Sequence, residues 1–153
     1  MGTSPKFEEA LVYAAHLHRN QNRKWGGAPY ATHIMGVAAF VGEFGGDEDA
    51  IIAGLLHDAA EDQGGGATLD EIRRRFGEGV AGMVEECTDA FDEPKPEWWE
   101  RKRAYVAHLP KASGGGRIVS ACDKLYNCLT IWRGARTDGA AFLDKFTAKR
   151  EGV

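Results

Sequence analysis

The chain has 153 residues, 43% hydrophobic and 10% aromatic, and its 23 acidic and 19 basic side chains leave a formal net charge of -4. That length suits one domain, residues 1–153, with a core of its own, and the acidic balance argues against a surface built for nucleic acid while leaving room for a pocket that holds a small polyanion. No window approaches the roughly 18 apolar residues of a membrane span, and Met1-Gly2-Thr3-Ser4-Pro5 lacks the order of a signal peptide, so no membrane partner and a cytoplasmic location are expected.

A first helix is expected from Ser4 to Asn20, with Ser4 as cap, Pro5 in the first turn, and Phe7, Leu11, Ala14, Ala15 and His18 at helical spacing. The polar stretch Gln21 to Pro29 leads into a second helix, His33 to Phe44, closed by Gly45-Gly46. A third reads as continuous from Asp47 to Asp62 with Asp47 as its cap. Gly64-Gly65-Gly66 interrupts the chain, Thr68-Leu69-Asp70-Glu71 reads as a capping box opening a short helix through Arg75, and Gly77 stops it. Further helices are expected from Glu78 to Thr88 and from Glu97 to Leu109, after a loop from Asp89 to Pro96. A glycine hinge, Ser113 to Gly116, precedes a long helix from Ile118 to Trp132, and a terminal helix runs from Gly139 to Lys149. No period-two β-branched run interrupts this series, so the fold class is all-α: a single-domain bundle of seven or eight helices without internal repeat. The ending Glu151-Gly152-Val153 carries no stop signal, as if the last helix were interrupted there.

Cys87, Cys122 and Cys128 are odd in number and lack CxxC spacing, so packed, reduced thiols are expected rather than disulfides or a zinc knuckle. His16 and His18 are read as structural, Arg73-Arg74-Arg75 as solvated, and Trp98 and Trp99 as anchors of their helix.

The chemistry concentrates in Leu55-Leu56-His57-Asp58-Ala59-Ala60-Glu61-Asp62, where an apolar run ends in a histidine and three carboxylates. Burying carboxylates beside leucine costs several kcal/mol unless they are paired, hydrogen-bonded or bound to a cation, and a metal resolves that conflict. His33, His57, Asp58 and Asp123 lie on three different predicted helices, the arrangement by which bundles aim ligands inward. Two imidazoles with two carboxylates suit a divalent ion such as manganese, iron, magnesium or zinc with positions left for water and substrate.

In its longer motifs the chain resembles the HD-domain phosphohydrolases of the Rel/Spo (p)ppGpp hydrolase type and the stand-alone small alarmone hydrolases. The resemblance covers about residues 5–132 and rests on four motifs in order. These are Arg23-Lys24-Trp25-Gly26-Gly27-Ala28-Pro29-Tyr30-Ala31-Thr32-His33, Leu55-Leu56-His57-Asp58 with Glu61-Asp62, Phe76-Gly77-Glu78-Gly79-Val80-Ala81, and Asp123-Lys124-Leu125-Tyr126-Asn127. It implies that His33, His57, Asp58 and Asp123 hold Mn²⁺, and that Glu61 and Asp62 activate or orient the attacking water. It further implies that Arg23 and Lys24 lie against base and phosphates, and that Asn127 and Thr130 contact the nucleoside. Asp123, Asn127 and Thr130 fall at i, i+4 and i+7, one stripe of a helix, which suits that role as well as it suits plain helix packing. Arg101-Lys102-Arg103 resembles a basic stretch of the family, so that Lys102, with Lys95 and Lys124, supplies charge to a diphosphate; a solvated helix face is the alternative.

The departures are Ile34 after the first histidine, where the family usually has proline, Gln63 in place of threonine after the acidic pair, and the glycines at 64–66. The resemblance implies a guanosine 3′,5′-bis(diphosphate) 3′-pyrophosphohydrolase acting on a small nucleotide, with no synthetase or regulatory region in this chain. Two alternatives stay open: an HD-type phosphatase or phosphodiesterase for another nucleotide, such as the NADPH 2′-phosphate or a nucleoside monophosphate, and an inactive nucleotide-sensing module.

Overall fold

The computed structural model describes residues 2–24, 26–89, 91 and 96–145. Among these lie eight α-helices: α1 (Pro5–Leu17), α2 (Ala31–Glu43), α3 (Glu48–Leu56), α4 (Ala59–Asp62), α5 (Gly65–Phe76), α6 (Glu78–Cys87), α7 (Trp98–His108) and α8 (Gly114–Asp138). Short 3-10 segments at Leu109–Lys111 and Gly139–Lys145 follow α7 and α8. The all-α class therefore stands, and no helix among the described residues is long and apolar enough to cross a membrane.

Capping residues set several helix starts as the sequence indicates. Ser4 Oγ accepts from Phe7 N at 3.2 Å and Asp47 Oδ1 from Ala50 N at 2.9 Å, each meeting an amide the helix itself leaves unpaired. Gly77, at φ 89°, ends α5 and starts α6 in a conformation that a side chain would strain.

Four boundaries differ from expectation. The helix read as Asp47 to Asp62 breaks at His57–Asp58, where Asp58 takes φ -95° and ψ -1°, the sparsely populated bridge region. Three side chains from other positions draw its carboxylate out of line, as described below. The Thr68–Glu71 box does not start α5, which already begins at Gly65; Thr68 is buried and donates to Gln63 O at 2.6 Å. The glycines at 114–116 are no hinge but the first turn of α8, because Ser113 Oγ caps Gly116 N at 2.9 Å and the Glu86 carboxylate takes Ser113 N at 2.8 Å. A Cβ on Gly115 or Gly116 would strike Met83 or Glu86, so these residues let α8 approach α6 closely. The long helix runs on to Asp138, and the segment after it is a 3-10 run to Lys145; the rest of the terminal helix expected over 139–149 falls outside the described residues.

The core lies where α2, α3, α6 and α8 meet, with α1 against α3 and α5 against α6. Ile34, Val37, Val41, Ile52, Leu55, Leu56, Ile72, Phe76, Val80, Val84 and Val119 are all essentially inaccessible, and burying each contributes about 1.5–3 kcal/mol. At the α2–α3 crossing Gly54 has no side chain for a reason: a Cβ there would stand 3.1 Å from Ala38 Cα and 3.3 Å from Val41 Cγ2. Close approach at this crossing sets the distance between His33 on α2 and His57 at the end of α3.

Three smaller readings are corrected. Cys128 is exposed, whereas Cys122 is buried and burial pushes the Cys87 thiol up to about 12. Trp99 is 44% exposed, stacked edge-on against Trp98 rather than anchored in the bundle. Arg73, Arg74 and Arg75 are not simply solvated: they pair with Asp70, Glu71, Glu78 and Glu85, and Arg75 also covers the Tyr13 ring.

Gly54→Val is expected to lower the stability of the protein by about 1–3 kcal/mol through overpacking of the α2–α3 crossing. Urea unfolding monitored by circular dichroism measures this, and an unchanged midpoint contradicts the crossing as described.

Candidate metal centre and active site

Four side chains meet from three directions. His33 comes from the first turn of α2, His57 and Asp58 from the break between α3 and α4, and Asp123 from the middle of α8. His33 Nε2 lies 3.4 Å from Asp58 Oδ2 and 3.3 Å from Asp123 Oδ1; His57 Nε2 lies 3.1 and 3.6 Å from the same two oxygens. His33, His57 and Asp123 are nearly inaccessible, and the Asp58 side chain is one-fifth exposed, so the cluster opens to solvent on the Asp58 side.

The donor set fits a divalent cation. His57 Nδ1 faces Gly54 O at 2.8 Å and so carries the ring proton, which turns the lone pair of Nε2 toward the carboxylates. That Nε2 is buried with no hydrogen-bond partner among the described residues. Such an orphan acceptor facing two carboxylate oxygens is what a metal ligand looks like without its ion. With no cation counted, burial opposes the imidazolium, yet the Asp58 charge and the nearness of both carboxylates hold the His57 pKa well above its ordinary 6.5. Burial likewise opposes ionisation of Asp58 and Asp123, but the two histidines, and Lys124 for Asp123, hold both carboxyls well below the usual range.

Three of the four side chains have an outer hydrogen-bond partner, whereas the buried His33 Nδ1 has none among the described residues. Tyr30 Oη donates to Asp58 Oδ2 at 2.5 Å, and burial together with that carboxylate drives its own pKa far up. Asn127 Nδ2 donates to Asp123 Oδ1 at 2.6 Å and Lys124 Nζ to Asp123 Oδ2 at 2.5 Å. The Tyr126 ring packs edge-on to His33 at 5.1 Å, a seat left free by Gly36, where a Cβ would fall 2.1 Å from that ring.

The other sequence candidates surround this cluster without all reaching it. Glu61 and Asp62 occupy α4, one turn beyond Asp58; Glu61 Oε1 is 3.8 Å from Arg101 Nη1, and Asp62 is exposed with Gln21 Nε2 at 2.8 Å from its Oδ2. The 21–30 loop closes on itself through Arg23 N to Ala28 O at 2.8 Å and Tyr30 N to Gln21 O at 2.9 Å. That closure brings the Arg23 guanidinium to 5.7 Å from the Tyr30 ring and 6.0 Å from the Tyr126 ring, and its Nη2 to Asn127 Oδ1 at 3.0 Å. Lys24 is exposed. Thr130 Oγ1 donates to Tyr126 O at 3.1 Å, the local helix bond that was its alternative role. Lys102 is held by Asp89, which also takes Arg101 Nη1 at 2.5 Å; Lys95 and Trp25 lie outside the described residues.

Sequence reading missed Tyr30, Asp89, Gln21 and Gly54 as parts of the site. Tyr30 carried a signal, three residues before His33 and directly after Gly26-Gly27-Ala28-Pro29. Asp89, whose carboxylate is 2% exposed beside two cations, looked like one loop acid among several. Gly54 contributes a carbonyl, which no side-chain pattern can reveal.

A bundle that gathers two imidazoles and two carboxylates from three helices, with two acids on the next turn, defines a class of helical metal-centre proteins. The sequence pattern of the HD domain matches residues 10–137. The mouse (Mus musculus) guanosine-3′,5′-bis(diphosphate) 3′-pyrophosphohydrolase MESH1 is 44% identical over 122 residues, 78% of this chain and 65% of that protein. The Xenopus tropicalis protein of the same name is 41% identical over 128 residues, 82% and 69% of the two chains. A solved structure described as a metazoan ortholog of SpoT that hydrolyzes ppGpp superposes with a TM-score of 0.77 at 31% identity, over 99% of this chain and 89% of that one. The chain belongs to the HD-domain family, in its Rel/Spo-type branch. It spans 65% of the length of the mouse relative.

Proton linkage gives a test of the centre. The stability that His57 draws from its raised pKa is fully present below 6.5 and is lost as pH rises through the folded value; that of Asp58 and Asp123 is present above 3.8 and is lost as pH falls. Metal-free protein is therefore expected to lose thermal stability from pH 6.5 upward, and the gain on adding Mn²⁺ to grow over the same interval as the ion replaces the proton. Melting curves at fixed free metal between pH 6 and 9 measure both, and a metal increment flat with pH contradicts the assignment of His57 as a ligand.

Proposed function

We propose that this chain is a manganese-dependent guanosine 3′,5′-bis(diphosphate) 3′-pyrophosphohydrolase of the cytoplasm, converting its substrate to the 3′-hydroxyl nucleotide and pyrophosphate. The observation that carries the reading is the junction of the four-ligand cluster with Glu61 and Asp62 on the adjoining turn. The names of the mouse and Xenopus relatives, and the ppGpp hydrolysis ascribed to the metazoan SpoT ortholog, support the choice of substrate.

His33, His57, Asp58 and Asp123 would hold the ion, and Mn²⁺ accepts such a mixed nitrogen and oxygen set. When bound, a divalent ion polarises phosphoryl oxygens and lowers the pKa of water. The protein's own groups account for the rest. Glu61 and Asp62 orient the attacking water and accept its proton as its oxygen bonds to the phosphorus on the ribose 3′ oxygen. The bond from that phosphorus to the 3′ oxygen breaks, the oxygen takes up a proton, and pyrophosphate leaves. Tyr30 and Lys124 keep Asp58 and Asp123 ionised and fixed in direction, so the ligand atoms need no rearrangement.

Arg23, lying against Tyr30 and Tyr126 and bonded to Asn127, offers a flat cationic face to a purine, and exposed Lys24 adds charge for phosphate. Asn127 and Thr130 face the nucleoside along α8, Thr130 with the lone pairs left free by its bond to Tyr126 O. Lys102 reaches a diphosphate by exchanging the Asp89 carboxylate for phosphate oxygens.

Purified protein with Mn²⁺ is expected to turn ppGpp into GDP and pyrophosphate, resolved by anion-exchange chromatography. Glu61→Gln together with Asp62→Asn is expected to lower kcat at least about 100-fold with metal content unchanged. No product, or turnover undiminished in the double variant, refutes the reading. Arg23→Ala is expected to raise KM about tenfold while kcat stays within about threefold, since the contact is made equally in ground and transition states.

A further inference from the structure

Asp62 stands exposed on a helix of a single turn, with nothing in its own element to fix its side chain. A residue 41 positions earlier does so. Gln21 Nε2 donates to Asp62 Oδ2 at 2.8 Å, while Gln21 Oε1 accepts from Gln63 Nε2 at 2.7 Å and lies 2.7 Å from His18 Nδ1. These partners dictate the orientation of the amide. Turned over, it would set a carbonyl oxygen against a carboxylate and an NH₂ group against the NH₂ of Gln63. His18 must then carry its proton on Nδ1, and the three side chains form one directed chain of donors ending on the acid.

The chain is rigidly mounted. Gln21 N donates to His18 O at 3.0 Å and Gln21 O accepts from Tyr30 N at 2.9 Å, so the backbone is pinned on both sides of the amide. His18 is 1% exposed, and its ring stacks on Tyr30 at a centroid distance of 5.0 Å. Tyr30 in turn grips Asp58. One assembly from the α1 terminus and the following loop thus holds the metal-side carboxylate through Tyr30 and the exposed acid through Gln21.

We propose that Gln21 is a positioning residue of the hydrolysis: its amide, clamped by His18 and Gln63, fixes the direction of the Asp62 carboxylate toward the attacking water. This rests on the reading of Asp62 as one of the two acids that handle that water. An exposed aspartate samples several rotamers, and a single clamped donor selects one, so the gain appears in turnover and not in substrate affinity.

The test is a double-mutant cycle on the Mn²⁺-loaded enzyme with ppGpp. Gln21→Glu keeps an acceptor toward His18 and Gln63 but replaces the donor that faces Asp62. It is expected to lower kcat about tenfold with KM within about twofold, and to cost less than about twofold when Asp62 is already Asn. Equal losses in both backgrounds overturn the proposal, since a general structural defect multiplies through. If Gln21→Glu does not fold or load metal, Gln63→Ala, which removes one clamp of the amide, is read through the same cycle with an expected loss of about threefold. Independently of any substrate, the Gln21 side-chain amide resonances of Mg²⁺-loaded protein are expected to shift on Asp62→Asn; unmoved resonances overturn the contact. A wild type that leaves ppGpp intact refutes the substrate reading, while the amide resonances still decide whether Gln21 holds Asp62.

Discussion

The structure is organised around an enclosed excess of negative charge. Asp58 and Asp123 point their oxygens at two imidazoles within a helical core whose other occupants are mainly aliphatic, and two carboxylates cannot remain ionised there without compensation. Four neighbouring polar groups answer that demand. Tyr30, Asn127 and Lys124 each donate to a carboxylate oxygen, and the Gly54 carbonyl turns the His57 lone pair inward. The cluster is an electrostatic arrangement of a kind that a divalent cation would complete.

Much of this was legible because charged residues inside apolar helical stretches are costly and therefore informative. His57-Asp58 after Leu55-Leu56, and Asp123 within a long amphipathic run, stood out for that reason, and the structure brings them together with His33. The break between α3 and α4 was not legible: the local pattern through Glu61 and Asp62 is helical, and only bonds from Tyr30 and His33, distant in sequence, pull Asp58 out of register. The same holds for the start of α8. Three glycines read as a hinge, yet Ser113 caps Gly116 N, and the Glu86 carboxylate on α6 holds Ser113 in place for it.

Charge runs were the least readable feature. Arg73-Arg74-Arg75 and Arg101-Lys102-Arg103 look alike on paper, but the first set is absorbed by Asp70, Glu71, Glu78 and Glu85 on the outer face of α5 and α6. In the second, Arg101 and Lys102 converge on the sequestered carboxylate of Asp89, with Arg101 also beside Glu61. Burial of the acidic partner separates a solubilising surface from a charge balance at the edge of a site, and burial is a property of the fold, not of the run.

The one turn of α4 depends on residues far from it in the chain. Four residues cannot sustain a helix cooperatively, so the stretch bearing Glu61 and Asp62 borrows its shape from Gln21, Arg101 and the Gly64 bend. Its first two residues, Ala59 and Ala60, are fully buried, so packing and those distant contacts, not its own length, hold the turn. A change at Gln21 or Arg101 would therefore be felt at the two acids of this turn, while the helices that carry it kept their own packing.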